Sequence, residues 1–158
     1  MKYISILRHG KSPQNPLNDE VRVLSDEGIK DITKLSLKLK ESRIIFDFII
    51  SSPIQRAKQT FEIVKSNQSS NVIFEFDKRL YSFNMTDVED FFLHLDNKFR
   101  NVLLVGHNPV ISRIGCYLCN QEKNIFCTPG NFFQFELDIE SWKDIYPHAG
   151  KTIKTIKP

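Results

Sequence analysis

Short apolar runs alternate with longer amphipathic segments along most of the chain. Four of the runs have the length and the β-branched or aromatic content of strands, and they span residues 3–7, 46–51, 72–76 and 101–106. Between and after these runs, apolar residues recur every three or four positions, as on one face of a helix. Strands that alternate with helices are typical of a parallel sheet. The pattern predicts a single α/β domain over residues 1–158 with a mostly parallel central sheet.

Recognisable start signals precede three of the predicted helices. Ser25 can cap the first helix, and Asn108 can cap the last one. Ser52 stands before a proline and three residues before Gln55, which is the capping-box pattern, so Ser52 is expected to cap the second helix. The inner face of the first helix is expected to carry Ile29, Ile32, Leu35 and Leu39.

The other segments predict one more helix and a β-rich end of the chain. Residues 88–99 carry apolar side chains at helical spacing. Residues 132–139 alternate between apolar and polar side chains, as a half-buried strand does. Residues 151–157 have the pattern of a terminal edge strand.

The composition is that of an ordinary globular domain. Hydrophobic residues make up 41% of the chain and the net charge is +3, so neither wholesale disorder nor a nucleic-acid partner is indicated. The N-terminus lacks the features of a signal peptide, and no run approaches the roughly 20 apolar residues that span a bilayer. Cys116 and Cys119 have metal-knuckle spacing without a second Cys or His pair, so they are expected to pack near the core. With three cysteines in all, a reduced, cytoplasmic protein without a membrane partner is expected.

Cationic or titratable side chains follow three of the predicted strands. Arg8 and His9 end the first strand, Arg56 lies in the first turn of the helix after the second strand, and His107 follows the strand 101–106. Ligands of open α/β sheets bind at the carboxyl ends of the strands, so these four side chains are expected to meet in one crevice. Free N–H groups at two helix N-termini would add to the attraction for an anion. The inventory predicts a site for a phosphoryl group.

Each residue type in this inventory has a role in phosphoryl transfer. The planar guanidinium of arginine binds phosphate oxygens bidentately and keeps its charge at all working pH values. A neutral imidazole is a nucleophile toward phosphorus, and a second imidazole can donate to the phosphoryl oxygens or move protons. Phosphoryl transfer depends mostly on positioning and charge stabilisation, so this set needs no metal or other cofactor. Gly10 is expected to let the backbone approach the ligand.

Three motifs in this order resemble the histidine phosphatase superfamily: "RHG" after the first strand, "SSPIQRAKQT" after the second and "GHNP" after a later one. The short, uninterrupted chain is most similar to its SixA branch of phosphohistidine phosphatases. The resemblance implies the three-layer α/β/α fold of the phosphoglycerate mutase-like proteins, with His9 as a nucleophile that is transiently phosphorylated. Arg8 and Arg56 would bind the phosphoryl oxygens, and His107 would complete the pocket. Asn15 would be a further phosphate contact, because "RHGKSPQN" matches a longer form of the first motif.

One position departs from the family pattern and bears on the substrate. Many members place a glutamate after the pair that corresponds to Leu80 and Tyr81, whereas this chain has Ser82. A leaving alkoxide needs a proton, but the imidazole of phosphohistidine can depart already protonated. We therefore expect a phosphohistidine on a phosphorelay or phosphocarrier protein, with a role in signal transduction. Two alternatives stay open: a small-molecule phosphomonoesterase with Asp87 or Glu89 as the acid, and a phosphate-binding module without catalysis.

Overall fold

The computed structural model describes residues 1–15, 17–82, 84, 86–120 and 124–158. Within them, strands and helices alternate as the sequence predicts. The strands are β1 (Lys2–Arg8), β2 (Phe48–Ser51), β3 (Ile73–Phe76), β4 (Asn101–Gly106), β5 (Phe132–Leu137) and β6 (Gly150–Ile156). The α-helices are α1 (Asp26–Glu41), α2 (Gln55–Lys65), α3 (Thr86–Leu93) and α4 (Val110–Leu118).

The strands form one mixed sheet in the order β3-β2-β4-β1-β5-β6. The pairings of β3 with β2, of β2 with β4 and of β4 with β1 are parallel. The two strands from the end of the chain are antiparallel to their neighbours, because β5 pairs with β1 and β6 pairs with β5. The expectation of a mostly parallel sheet is confirmed for the first four strands, and the last two close one edge in the opposite sense.

Helices cover both faces of the sheet, so the domain has the expected three layers. Helices α1 and α2 pack on one face, where Leu7 of β1 lies in their core cluster. Helices α3 and α4 pack on the other face, together with Ile4 and Ile6 of β1. Neighbouring side chains of a strand point to opposite faces, which is why β1 contributes to both cores. No helix within the described residues is both long and apolar enough to cross a membrane.

Of the three predicted helix starts, only the first is confirmed. The Ser25 hydroxyl accepts a hydrogen bond from the Gly28 N–H at 3.0 Å and caps α1. Helix α2 instead begins after Ile54, and α4 begins after Pro109, in both cases without a side-chain cap. The expected caps are wrong because the side chains of Ser52 and Asn108 hydrogen-bond at the strand ends, as described below.

Two predictions about helix faces also differ from the structure. Ile29 is 40% exposed, whereas Ile32, Leu35 and Leu39 are buried as expected. The first turn of α1 turns Gly28 toward the loop at Lys11, so this residue is buried where Ile29 was expected. Helix α3 ends at Leu93, so the last residues of the predicted segment 88–99 form the turn into β4.

Candidate active site

The ends of β1 and β4 bring the two predicted histidines together. Arg8 pairs with Gly106 in the parallel ladder, and the His9 N–H donates to the Gly106 carbonyl at 3.0 Å. His107 follows directly, and the centroids of its ring and the His9 ring are 5.0 Å apart. Arg56 reaches the same point from the first turn of α2. Buried His9, His107 and Arg56 thus meet at one edge of the sheet, with Arg8 beside them.

Hydrogen bonds to both ring nitrogens of His9 select its tautomer. The Nδ1 atom lies 2.7 Å from the Gly10 carbonyl oxygen, which can only accept, so Nδ1 carries the proton. The Arg56 Nε–H donates to His9 Nε2 at 3.1 Å, so Nε2 presents its lone pair. The ring is therefore oriented with an unprotonated Nε2 whose lone pair accepts from Arg56, and this nitrogen can attack phosphorus once the guanidinium donates to the bound anion instead.

Burial keeps both imidazoles neutral. Desolvation, together with the nearby Arg56 charge, lowers the pKa of His9 to about 4, although its hydrogen bond to the Gly10 carbonyl acts to raise it. Desolvation also lowers the pKa of His107 to about 3, and the neighbouring His9 and Arg56 act in the same direction. At neutral pH the site therefore owes its positive charge to arginines.

The side chain of Ser52 serves the site and does not cap the helix. Its hydroxyl lies 2.8 Å from His107 Nε2 and also accepts the Ile54 N–H at 3.2 Å. The other ring nitrogen of His107, Nδ1, is buried and has no hydrogen-bond partner within the described part of the chain. A buried polar atom without a partner is costly, so Nδ1 is poised for a bound group.

Arg8 is held by a loop that comes from late in the chain. Its Nη1 donates to the Cys127 carbonyl at 3.0 Å, and the Asn108 Nδ2 donates to the same oxygen at 2.8 Å. The Arg8 Nε is buried without a partner among the described residues. The guanidinium is thereby oriented while much of its donor capacity stays free for an anion.

The structure adds a carboxylate that the sequence did not single out. Asp19 accepts from Arg56 twice, through its backbone oxygen at 2.7 Å and through Oδ2 at 3.0 Å. Its Oδ2 also accepts from the Tyr81 hydroxyl at 2.9 Å, and its Oδ1 accepts from Arg22 at 2.8 Å. Partial burial acts to raise the pKa of Asp19, but these three donors lower it to about 2. The sequence feature that could have indicated this carboxylate is the spacing of Asp19 and Arg22, which are three residues apart in the loop after the "RHG" motif.

These side chains enclose a cavity of about 410 Å³. It is lined by Arg8, His9, Gln14, Asp19, Arg22, Arg56, Tyr81, His107 and Asn108. The predicted Asn15 is not brought to it: this residue is exposed, and its Oδ1 accepts the Leu17 N–H in a local turn. Asp87 and Glu89 do not line it either. Asp19 is therefore the one carboxylate among the described residues that lines the cavity.

A larger cavity of about 630 Å³ lies beside the first and shares Asn108 with it. Its lining is mostly apolar, with Phe126 and Tyr117, and it includes Glu89. Neither histidine of the pair lines it, so the side chains predicted to be catalytic lie around the smaller, polar cavity.

Gly10 has a different role from the expected one. A Cβ atom there would lie 2.8 Å from Ile32 Cγ1 and 3.1 Å from the Gly28 carbonyl oxygen, so α1 already fills the space. A Cβ atom on Gly28 would lie 2.2 Å from the Lys11 carbonyl oxygen. The two glycines let the N-terminal turn of α1 pack closely against the loop that carries His9.

Comparisons with known proteins agree with this fold. A family model described as the Histidine phosphatase superfamily (branch 1) matches residues 4–99. The structure of the protein histidine phosphatase SixA complexed with tungstate is 22% identical, covers 98% of this chain and 96% of its own, and superposes with a TM-score of 0.83. A structure assigned to SixA from Nakamurella multipartitia is 17% identical, covers 99% and 96%, and has a TM-score of 0.85.

A curated relative from Arabidopsis thaliana is named "Probable 2-carboxy-D-arabinitol-1-phosphatase". It is 32% identical over 91 residues, which are 52% of this chain. The chain spans only 18% of the length of that relative, so the likeness concerns one part of a much longer protein.

Proposed function

This chain belongs to branch 1 of the histidine phosphatase superfamily, and we propose that it is a phosphatase that works through a phosphohistidine on His9. The observation that carries the proposal is the His9 ring, neutral and oriented with the Nε2 lone pair beside Arg56. Family membership and the named phosphatases among its relatives support the same class of reaction.

In the first step, the Arg56 Nε–H turns from His9 Nε2 to a phosphoryl oxygen, and the freed Nε2 lone pair attacks phosphorus while the bond from phosphorus to the leaving atom breaks. The leaving atom keeps the electron pair of that bond. Arg8 and Arg56 bind the phosphoryl oxygens, and His107 Nδ1 supplies a further contact if that nitrogen carries the proton. The phosphorylated His9 ring is cationic, because Nδ1 keeps its proton, and its hydrogen bond to the Gly10 carbonyl stabilises this charge.

In the second step, water attacks the phosphorus of the phosphoenzyme. The electron pair of the P–N bond returns to Nε2, and the protons of the water remain on the phosphate that leaves. His9 regains its neutral tautomer. We propose that neither step needs a metal ion, because the arginines supply the positive charge at the transition state.

The substrate we propose is a phosphohistidine on a protein, such as a phosphorelay or phosphocarrier domain in signal transduction. The support is that no protonated carboxyl group, which an alkoxide leaving group would need as its acid, lines the cavity among the described residues: Ser82 stands where an acid was expected, and Asp19 is ionised. The neighbouring SixA structure is named a protein histidine phosphatase, which fits this class.

The test of the mechanism is the trapping of an acid-labile phosphoenzyme from a radiolabelled phosphodonor. Wild type is expected to be labelled and to turn over with a chelator present, whereas His9→Asn should do neither. His94→Asn changes an exposed histidine and serves as the matched control. A labelled and active His9→Asn variant would overturn the mechanism.

The test of the substrate class compares a phosphohistidine carrier protein with small phosphomonoesters. The rival substrate is a sugar phosphate ester, for which the name of the Arabidopsis relative is the supporting observation. Faster turnover of the carrier supports phosphohistidine. Faster turnover of alkyl esters supports the rival, and tight phosphate binding without turnover of either class supports a non-catalytic module.

A further inference from the structure

We propose that Asp19 is a catalytic residue that receives the departing imidazole of a phosphohistidine substrate. Its carboxylate would accept a hydrogen bond from the protonated ring nitrogen that does not carry phosphorus. The inference rests on the proposed function and names the group that favours a P–N bond over a P–O bond.

Asp19 lies next to the nucleophile, with Arg56 between them. The Arg56 guanidinium joins His9 to Asp19, because Nε donates to His9 Nε2 at 3.1 Å and Nη2 donates to Asp19 Oδ2 at 3.0 Å. A phosphoryl group bound at Arg56 therefore has the nucleophile at one end of the guanidinium and the carboxylate at the other. The carboxylate also lines the cavity, and 43% of its side chain is open to solvent, so a ligand can reach it.

The charge of Asp19 also suits an imidazole leaving group. Asp19 accepts from Arg22, Arg56 and Tyr81, and its pKa of about 2 leaves it ionised at any working pH. A permanent carboxylate cannot give a proton to an alkoxide, but it can accept a hydrogen bond from an imidazolium. A nearby negative charge favours the protonated form of an imidazole, so Asp19 would enrich the substrate form whose leaving group is neutral imidazole.

Protons and electrons balance in this step. Before attack, the substrate ring carries phosphorus on one nitrogen and a proton on the other. His9 Nε2 forms the new P–N bond, and the old P–N bond breaks with its electron pair returning to the substrate ring. The ring leaves as neutral imidazole with its proton still hydrogen-bonded to Asp19. No general acid takes part.

A structural role is the competing explanation for Asp19, because the same carboxylate holds Arg56 in place. The two roles predict different dependence on the leaving group. Loss of Arg56 positioning would slow every phosphoryl substrate alike, whereas loss of a leaving-group contact would slow only substrates whose leaving group is imidazole.

The experiment measures kcat/KM of wild type and Asp19→Asn on N-phosphoimidazole and on para-nitrophenyl phosphate, whose phenolate leaves without a proton. We expect Asp19→Asn to lose about tenfold on N-phosphoimidazole, the effect of a one-unit change in the imidazole pKa. The rate on para-nitrophenyl phosphate should change less than about threefold. Glu20→Gln is the matched control, because it removes one charge from an exposed neighbour and should leave both rates as in wild type.

The outcomes separate this inference from the proposed function. Equal losses on both substrates would overturn the role of Asp19 and leave the phosphohistidine phosphatase intact. A wild type that does not turn over N-phosphoimidazole or a phosphohistidine carrier would overturn the proposed function itself. If Asp19→Asn does not fold, Tyr81→Phe is measured on the same two substrates. It removes one donor that lowers the pKa of Asp19, so the carboxylate becomes a stronger acceptor and the preference for N-phosphoimidazole should rise, whereas an unchanged preference would overturn the role of Asp19.

Discussion

Gly28→Ala places a single methyl group between α1 and the loop that carries His9. The Cβ atom would lie 2.2 Å from the Lys11 carbonyl oxygen, where ordinary contact begins at 3.4 Å, so the helix and the loop must separate by about 1 Å. Helix α1 is anchored by buried Ile32 and Leu35, so we expect the loop to take up most of the displacement. Lys11 is two residues from His9, and the nucleophile should move with it.

Gly28→Ala should stabilise helix α1 by itself but destabilise the folded protein as a whole. Alanine improves helix propensity by up to about 1 kcal/mol, but overpacking costs about 1–3 kcal/mol. We expect a net loss of roughly 1 kcal/mol in the free energy of unfolding. Misplacement of a reacting group by about 1 Å can reduce the rate about 100-fold, so the larger effect should appear in kcat.

The assay is kcat/KM on para-nitrophenyl phosphate, combined with urea unfolding. Lys34→Ala, on the exposed side of the same helix, is the control for a substitution in α1 that does not affect its packing against the loop. If Gly28→Ala keeps a kcat/KM within about threefold of wild type and is more stable, the helix, and not the loop, has taken up the displacement. The reasoning about the two glycines would then be refuted.

Three further predictions follow from the site. His9 and His107 have lowered pKa values in the folded state, so the unfolded chain binds more protons than the folded one below pH 6.5. The free energy of unfolding measured in urea should therefore fall by about 1.4 kcal/mol per pH unit for each histidine as the pH drops toward 4. A flat pH profile, or a slope that vanishes in the His94→Asn variant, would contradict this. Arg56→Lys keeps the charge but loses the planar guanidinium that binds phosphoryl oxygens bidentately, so kcat on para-nitrophenyl phosphate should fall at least about 100-fold, and a fall below threefold would contradict the prediction. Ser52→Ala should cost about 1–3 kcal/mol in urea unfolding and lower kcat, because two buried partners lose a hydrogen bond, whereas unchanged values would show that the ring of His107 is held elsewhere.

The sequence was sufficient to predict which strand ends meet. The apolar runs were continuous enough to be recognised as buried strands, and in a parallel sheet all carboxyl ends lie at one edge. Arg8, His9 and His107 are therefore placed by the sheet itself, and Arg56 by the first turn after it. The antiparallel pairing of β5 with β1 was not predicted, since the alternation of a strand carries no information about its direction.

Asp19 could not be placed from the sequence because the loop before α1 has no hydrophobic period. Its position depends on scattered hydrogen bonds, such as those from Arg22 to the backbone oxygens of Ser12 and Pro13. Asn15, two residues before the turn at Leu17, instead satisfies its own backbone. Short polar loops are decided by such local competition, which a motif match does not weigh.

The failed caps have a common cause. Ser52 and Asn108 have the residue types and spacing that favour helix starts, but each stands at a strand end that opens into the site. Their side chains there hydrogen-bond His107 and the Cys127 carbonyl. The helix-capping preference of these two side chains is not realised because the same atoms form hydrogen bonds within the candidate site.

The parallel pairing of β1 with β4 has a consequence for how this domain can change its substrate. Neighbouring strands lie about 4.8 Å apart, and the His9 and His107 rings that extend from them have centroids 5.0 Å apart, so the lateral repeat of the sheet sets their separation. The connections that carry Asp19 and Tyr81 lie outside this ladder. A change in the length or sequence of these segments therefore leaves the spacing of the two imidazoles as the sheet sets it, while it alters the carboxylate that holds Arg56 and the hydroxyl that donates to this carboxylate.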